Sequence, residues 1–330
     1  MRVTRLAAWE ALPGGAAGWG RLLDTSATRV PFLTWHWQTT WWEHFGQPGA
    51  LRLFVVEEGN GEPVGLLPLM RSGEGTLQFV GGVDVSDYLD LLARPGREEE
   101  VWKALLPALA EDEWERVDLH SLPAGSPTLT LLPPLARAQG FEVGVEREER
   151  CPLIDLPGDW ETYLAGLGGK DRHELRRKLR RCAETYPGAR ASLATEAALP
   201  AALDAFFLLH RRSTAGKARF MNERMEAFFR TAASAFAGEG WLQLWTLEAA
   251  RPLAALLCFD YGGVVSVYNS GFDPDARAAS PGIVLIAHVL QESIRRERRR
   301  FDFLRGEEAY KYAFGARPTD LMRLRMERAR

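Results

Sequence analysis

The chain has 330 residues, 46% hydrophobic, 10% aromatic and 26% charged, a composition that builds a real core and excludes a disordered or low-complexity protein. Lys plus Arg number 41 against 44 Asp plus Glu, a formal charge of -3, so the chain as a whole has no polyanion-binding footprint. Its length exceeds the roughly 100–200 residues of one ordinary domain and predicts two units, 1–150 and 151–330.

Residues 1–15 carry Glu10 and a Pro-Gly-Gly break instead of a basic patch followed by an apolar run, so no secretory signal is expected. In the first half the pattern predicts strands at 51–57 and 63–71 around the turn Gly59-Asn60-Gly61, then strands near 77–80 and 87–92, a helix at 98–110 and a strand at 116–120. A helical insert near 168–236 follows. In it Asp171-Arg-His-Glu174 has the Asp-x-x-Glu spacing that caps a helix. Leu175, Leu179 and Cys182 then form an apolar stripe, with Arg172, Arg176, Arg177, Lys178, Arg180 and Arg181 over the rest of the surface. Two amphipathic helices, 199–212 and 222–236, are predicted to cover one side of the second sheet.

The second half reads as strands at 241–247, 252–260 and 264–268, a loop at 271–281 and a helix at 282–297. A strand at 300–304, a short helix or loop at 310–314 and a strand at 321–326 complete it. Part of this order repeats the first half, and residues repeat with it: Arg116-Val-Asp118-Leu parallels Arg300-Phe-Asp302-Phe. The expected duplication makes the fold mixed α/β. No 18–20-residue apolar span is present; the longest candidate, 283–290, is short and contains His288, so stable membrane insertion is not expected. Cys151, Cys182 and Cys258 are far apart, without a companion at metal-ligand spacing, and the six histidines are scattered. These features predict reduced structural thiols, no metal site and a cytoplasmic protein.

At Arg277-Ala-Ala-Ser280-Pro281-Gly282 a loop after a strand opens a helix, where backbone N–H groups and the helix dipole can hold a phosphate. This segment resembles the pyrophosphate loop of GNAT acetyltransferases, Arg/Gln-x-x-Gly-x-Gly/Ala, with Ser280 in place of the first glycine. Tyr268-Asn269-Ser270-Gly271-Phe272-Asp273-Pro274 precedes it. Phe301-Asp302-Phe303-Leu304-Arg305-Gly306-Glu307-Glu308-Ala-Tyr310-Lys311-Tyr312-Ala-Phe314-Gly315 follows. Together they resemble the Fem-like, cellulose-biosynthesis-type branch of the GNAT superfamily over roughly residues 30–320.

The resemblance implies two tandem GNAT-like halves, each a mostly antiparallel sheet flanked by helices. It also implies an acyl-CoA donor such as acetyl-CoA, and an amine or hydroxyl acceptor on a small molecule or a sugar or polysaccharide precursor. In that setting Arg277, Ser280, Pro281, Gly282, Ile283 and Lys311 are the candidates for donor binding, and Asp302 or Glu307 for taking the acceptor proton. Tyr310 or Tyr312 would stand near the thioester sulfur. His210, Lys217, Tyr268, Asn269 and Arg305 are candidates for the acceptor pocket, with Asp87 and Asp90 of the first half, which is expected to shape the acceptor site without a reaction of its own. Two alternatives stand beside this reading. One is the Fem-type aminoacyl-tRNA-dependent peptidyltransferase, for which the basic segment 170–181 would track tRNA phosphates. The other is a tandem-GNAT scaffold that binds without turnover.

Overall fold

The computed structural model describes residues 1–59, 61–73 and 75–328; Asn60 of the predicted turn lies outside them. The chain divides into two compact units, Met1–Arg150 with Thr319–Arg330, and Cys151–Pro318.

In the first unit the elements are β1 (Arg2–Leu6), α1 (Gly15–Thr25), α2 (Trp35–Phe45), β2 (Leu51–Glu57), β3 (Pro63–Ser72), β4 (Thr76–Phe79) and β5 (Leu92–Ala93). They continue with α3 (Glu98–Glu111), β6 (Arg116–Pro123), α4 (Pro127–Ala138) and the long β7 (Phe141–Asp155), whose last residues enter the second unit. The sheet runs β1-β2-β3-β4-β6 and takes in β13 (Arg317–Arg328), which pairs antiparallel with β6 from Leu321↔Pro123 to Glu327↔Arg116. Residues 319–330, grouped by sequence with the second half, thus belong to the first unit.

Of the predicted strand 87–92 only Leu92 is extended and paired, as the first residue of Leu92–Ala93. The reason is Asp90, a buried carboxylate that accepts from the Thr28 and Thr128 hydroxyls at 2.6 and 2.7 Å and from the Leu91 N–H at 2.8 Å. These bonds tie the segment into a loop. Burial raises the Asp90 pKa, and these bonds oppose the rise.

The second unit contains α5 (Trp160–Gly166), α6 (Gly169–Thr185), β8 (Arg190–Leu193), α7 (Leu199–Ser213), α8 (Ala215–Phe220), α9 (Glu223–Gly238), β9 (Leu242–Glu248), β10 (Pro252–Tyr261) and β11 (Val264–Phe272). After these come α10 (Pro281–Arg295), β12 (Arg300–Asp302) and α11 (Ala309–Ala313). Its strands run β12-β11-β10-β9-β8, antiparallel except for β11 and β12, with Leu153–Asp155 of β7 beside β12. Alternation along β10 sends Leu256 and Cys258 into the core built with Leu285, Val289 and Leu290 of α10. Phe259 goes the other way, its ring 5.0 Å from Phe236 of α9. Helices therefore cover both faces of this sheet, as two apolar faces demand.

The capping pattern at 171–174 does not cap. The helix begins at Gly169 after Gly168, without a side-chain cap, and Glu174 instead forms a two-pronged pair with Arg177 at 2.7 and 2.8 Å. Asp171 sits in the first turn, where its charge suits the helix dipole.

The two units share one device. In the first, β4 and β6 pair in parallel over three positions, Thr76↔Arg116 to Gln78↔Asp118; in the second, β11 and β12 do so from Val264↔Arg300 to Ser266↔Asp302. Asp118 and Asp302, matched in the sequence, occupy the same register position.

Candidate functional site

The parallel pairing of β11 with β12 ends at Ser266 and Asp302. A bulge follows on the other edge of β11: Leu257 faces Asn269 and Cys258 faces Val267, so Tyr268 is the extra residue. The bulge bends β11, and a cavity of ≈490 Å³ opens there, walled by β11 from Val267 to Ser270, by Phe303, Arg305 and Glu308, and by the start of α10. That is the size of a small-molecule site.

The cavity brings together Lys217, Tyr268, Asn269, Arg277, Ser280, Pro281, Gly282, Ile283, Arg305, Tyr310 and Lys311 of the predicted residues. At the α10 end Ser280 takes a left-handed backbone, φ 55 and ψ 47, the conformation in which a glycine would be unstrained. Pro281 opens the helix, and the N–H groups of Gly282 and Ile283 fall in the first turn, where helix geometry leaves donors without intrahelical acceptors. Arg277 lies over the Phe272 ring at 5.7 Å, and Arg181 of α6 donates to the Ser280 hydroxyl at 3.3 Å.

Lys217 donates to the Ser270 carbonyl and, at 3.3 Å, to its hydroxyl. Burial pushes its ammonium down to about 8, with Glu308 acting the other way. Burial, reinforced by Glu308, pushes the Tyr310 phenol up, so it stays protonated at neutral pH.

The buried Nζ of Lys311 donates to the carbonyls of Leu304, Arg305 and Gly306 at 3.3, 2.8 and 3.0 Å and pairs with Glu308 at 2.9 Å. It clasps the loop that carries Arg305 and Glu308 while still lining the cavity.

Asp302 is buried outside the cavity wall and accepts from the Leu304 N–H at 2.7 Å, closing the turn where Leu304 takes φ 55. Glu307 accepts from the Tyr312 hydroxyl at 3.1 Å, and neither residue lines the cavity. Asp87 and Asp90 belong to the first unit, where Asp90 is the buried loop anchor described above. Glu308 and Ser270 line the cavity although the sequence did not single them out. The only hint was the Glu307-Glu308 pair itself; which member turns inward depends on Gly306, whose φ of 110 no pattern reveals.

His210 lies outside the cavity wall, buried, with Nε2 2.9 Å from Asn269 Oδ1. Burial, with help from Lys217 and Arg211, pushes its pKa down to about 4 against the raising bond to Asn269. The folded chain therefore refuses a proton that the unfolded chain binds near pH 6.5. This contribution to stability is complete above pH 6.5 and is lost as pH falls toward 4. Denaturant melts of the wild type and His210→Gln between pH 7.5 and 4 should show the wild type losing stability more steeply; parallel curves would contradict the assignment.

Residues 169–312 match the family model described as an acetyltransferase (GNAT) domain. That span is similar to a GNAT domain, and it makes up less than half of the chain. The matched span lies inside the second unit and includes the start of α10 and the Lys311 clasp. Solved structures similar to the whole chain include FemX, with a TM-score of 0.66 at 12% identity over 98% of this chain and 97% of that one. The C-terminal domain of a putative lysylphosphatidylglycerol synthetase from Agrobacterium fabrum gives 0.61 at 12%, over 95% and 93%. Saccharomyces cerevisiae N-myristoyltransferase with bound myristoyl-CoA gives 0.50 at 11%, over 99% and 79%. No curated protein matches the chain. Among the described residues there is no helix long and apolar enough to cross a membrane and no group of three or more potential metal ligands.

Proposed function

We propose that this protein transfers an acyl group from an acyl-CoA donor, acetyl-CoA being the simplest, to an amine or hydroxyl of a small-molecule or sugar-type acceptor. The observation that carries the reading is the cavity that runs from the separation of β11 and β12 to the first turn of α10. A donor's pyrophosphate at that turn meets the Gly282 and Ile283 N–H groups, the helix dipole and Arg277. Its thioester then reaches the bulge. The acceptor attacks the thioester carbonyl, a C–N or C–O bond forms, the C–S bond breaks, and the departing sulfur takes a proton. Glu308, the carboxylate on the cavity wall, is our candidate to receive the acceptor proton; Tyr310 and Lys217 are candidates to protonate the sulfur. The similar N-myristoyltransferase holds an acyl-CoA on a related fold.

The test is titration calorimetry with acetyl-CoA and free CoA. A Cβ at Gly282 would meet nothing closer than the Phe272 Cβ at 4.0 Å, so Gly282→Ala should fold and bind. Gly282→Trp should fill the cavity and weaken a micromolar affinity at least 100-fold. A folded wild type that binds neither ligand refutes the donor assignment.

One observation favours a second reading, aminoacyl-tRNA-dependent transfer: the basic helix α6 reaches the cradle through Arg181. RNA binding would fall steeply with salt, whereas CoA binding, with few phosphate contacts, would fall gently. Binding of CoA without acyl transfer to any amine or hydroxyl would indicate the scaffold.

A further inference from the structure

Asn269 follows the bulge residue on β11 and lines the cavity. Its side-chain amide has two ends, an acceptor and a donor, and the surrounding bonds decide which faces where. Ser270 N–H lies 3.0 Å from one amide atom, and a backbone N–H can only donate, so that atom is the carbonyl oxygen Oδ1. His210 Nε2 lies 2.9 Å from the same oxygen and must therefore carry a hydrogen. Its other nitrogen, Nδ1, is buried with no hydrogen-bond partner among the described residues, which fits a bare lone pair on a neutral ring. The backbone thus fixes the amide, and the amide fixes the histidine tautomer. With Oδ1 engaged twice, the Asn269 NH₂ is the end left for the cavity.

We infer that the Asn269 amide donates a hydrogen bond to the carbonyl oxygen of the reacting acyl group, and that His210 is the positioning residue that holds it there. The inference rests on the acyl-donor reading above and deepens it. As the acceptor attacks, the carbonyl oxygen gains negative charge. A donor already aimed at it stabilises that charge without reorganising, and loss of one such donor elsewhere costs about 10²–10³ in kcat. His210 is suited to the task because it stays neutral at physiological pH and keeps its Nε2 hydrogen. An imidazole that exchanged tautomers would release Oδ1 and let the amide rotate.

Asn269→Asp tests this cleanly: the aspartate keeps an oxygen for His210 and for Ser270 N–H but offers the cavity no donor. The readout is the thioester carbonyl stretch of bound acetyl-CoA, 13C-labelled at the acetyl carbonyl, in isotope-edited difference infrared spectra. In the wild type the stretch should move to lower wavenumber than in free acetyl-CoA. In Asn269→Asp and Asn269→Ala the displacement should vanish while acetyl-CoA affinity stays within about tenfold. Release of CoA with hydroxylamine as the acceptor should fall about 10²–10³-fold in kcat with little change in KM. His210→Phe should lose the displacement and His210→Gln, whose amide N–H can still donate to Oδ1, should retain it. A displacement that persists in both Asn269 variants overturns the donor role, and one that persists in His210→Phe overturns the positioning role. A folded wild type that binds no acetyl-CoA overturns the acyl-donor reading itself, a distinct result.

Discussion

Gly271→Ala is expected to destabilise the protein by about 3 kcal/mol, the upper range for forcing atoms into a packed site. A Cβ there would stand 2.4 Å from the His210 nitrogen, 2.5 Å from the Leu209 carbonyl carbon and 2.8 Å from the His210 Cα, distances that real contacts do not show. All three atoms are backbone of α7, so no side chain can swing aside. Helix α7 would have to withdraw from β11, breaking the bond from Phe272 N–H to the Ser213 hydroxyl at 2.9 Å and pulling His210 from Asn269. Urea melts of the variant beside Gly282→Ala, where a methyl group has open space, measure the effect. Equal stability of the two would show that α7 does not press on β11 as described.

Lys311→Met should cost a comparable amount, about 3 kcal/mol, and weaken acetyl-CoA binding tenfold or more. Methionine fills much of the volume but donates nothing, so three carbonyls that now accept from one ammonium lose that donor together. The loop they belong to holds Leu304 and Gly306 at positive φ, and without the clasp those conformations lose one of their restraints. Arg305 and Glu308 would then leave the cavity wall. Lys311→Arg should not rescue, because a planar guanidinium cannot converge on three carbonyls around one point as an ammonium does. Hydrogen exchange across 304–308, with calorimetry, separates the two parts: faster exchange with normal affinity would mean that the loop does not shape the donor site.

The second unit was the more legible part of the chain because its signals are local. Strands 242–248 and 252–261 alternate around an obvious turn, α10 begins at Pro281, and α7 and α9 carry phenylalanines at helical spacing. Two of the elements missed have local chemistry that argues against them. Helix α4 contains Pro133 and Pro134, and β7 is largely charged and exposed over 142–149. The cradle, Lys217, Asn269 and Tyr310 could be assembled from sequence order. The exclusion of Asp302 and the inward turn of Glu308 could not, because both depend on backbone angles at Leu304 and Gly306. The hold of Lys311 on three carbonyls was equally hidden, because the letter alone does not say what an ammonium touches.

The last strand returning to the first unit has a consequence for synthesis. On the ribosome, β6 emerges long before its antiparallel partner β13, since all of the second unit's residues are translated between them. At 5–20 residues per second that interval is roughly 10–40 s. Throughout it the nascent first unit presents an open strand edge, and the second unit, translated later, has its own residues in hand before the first unit can close.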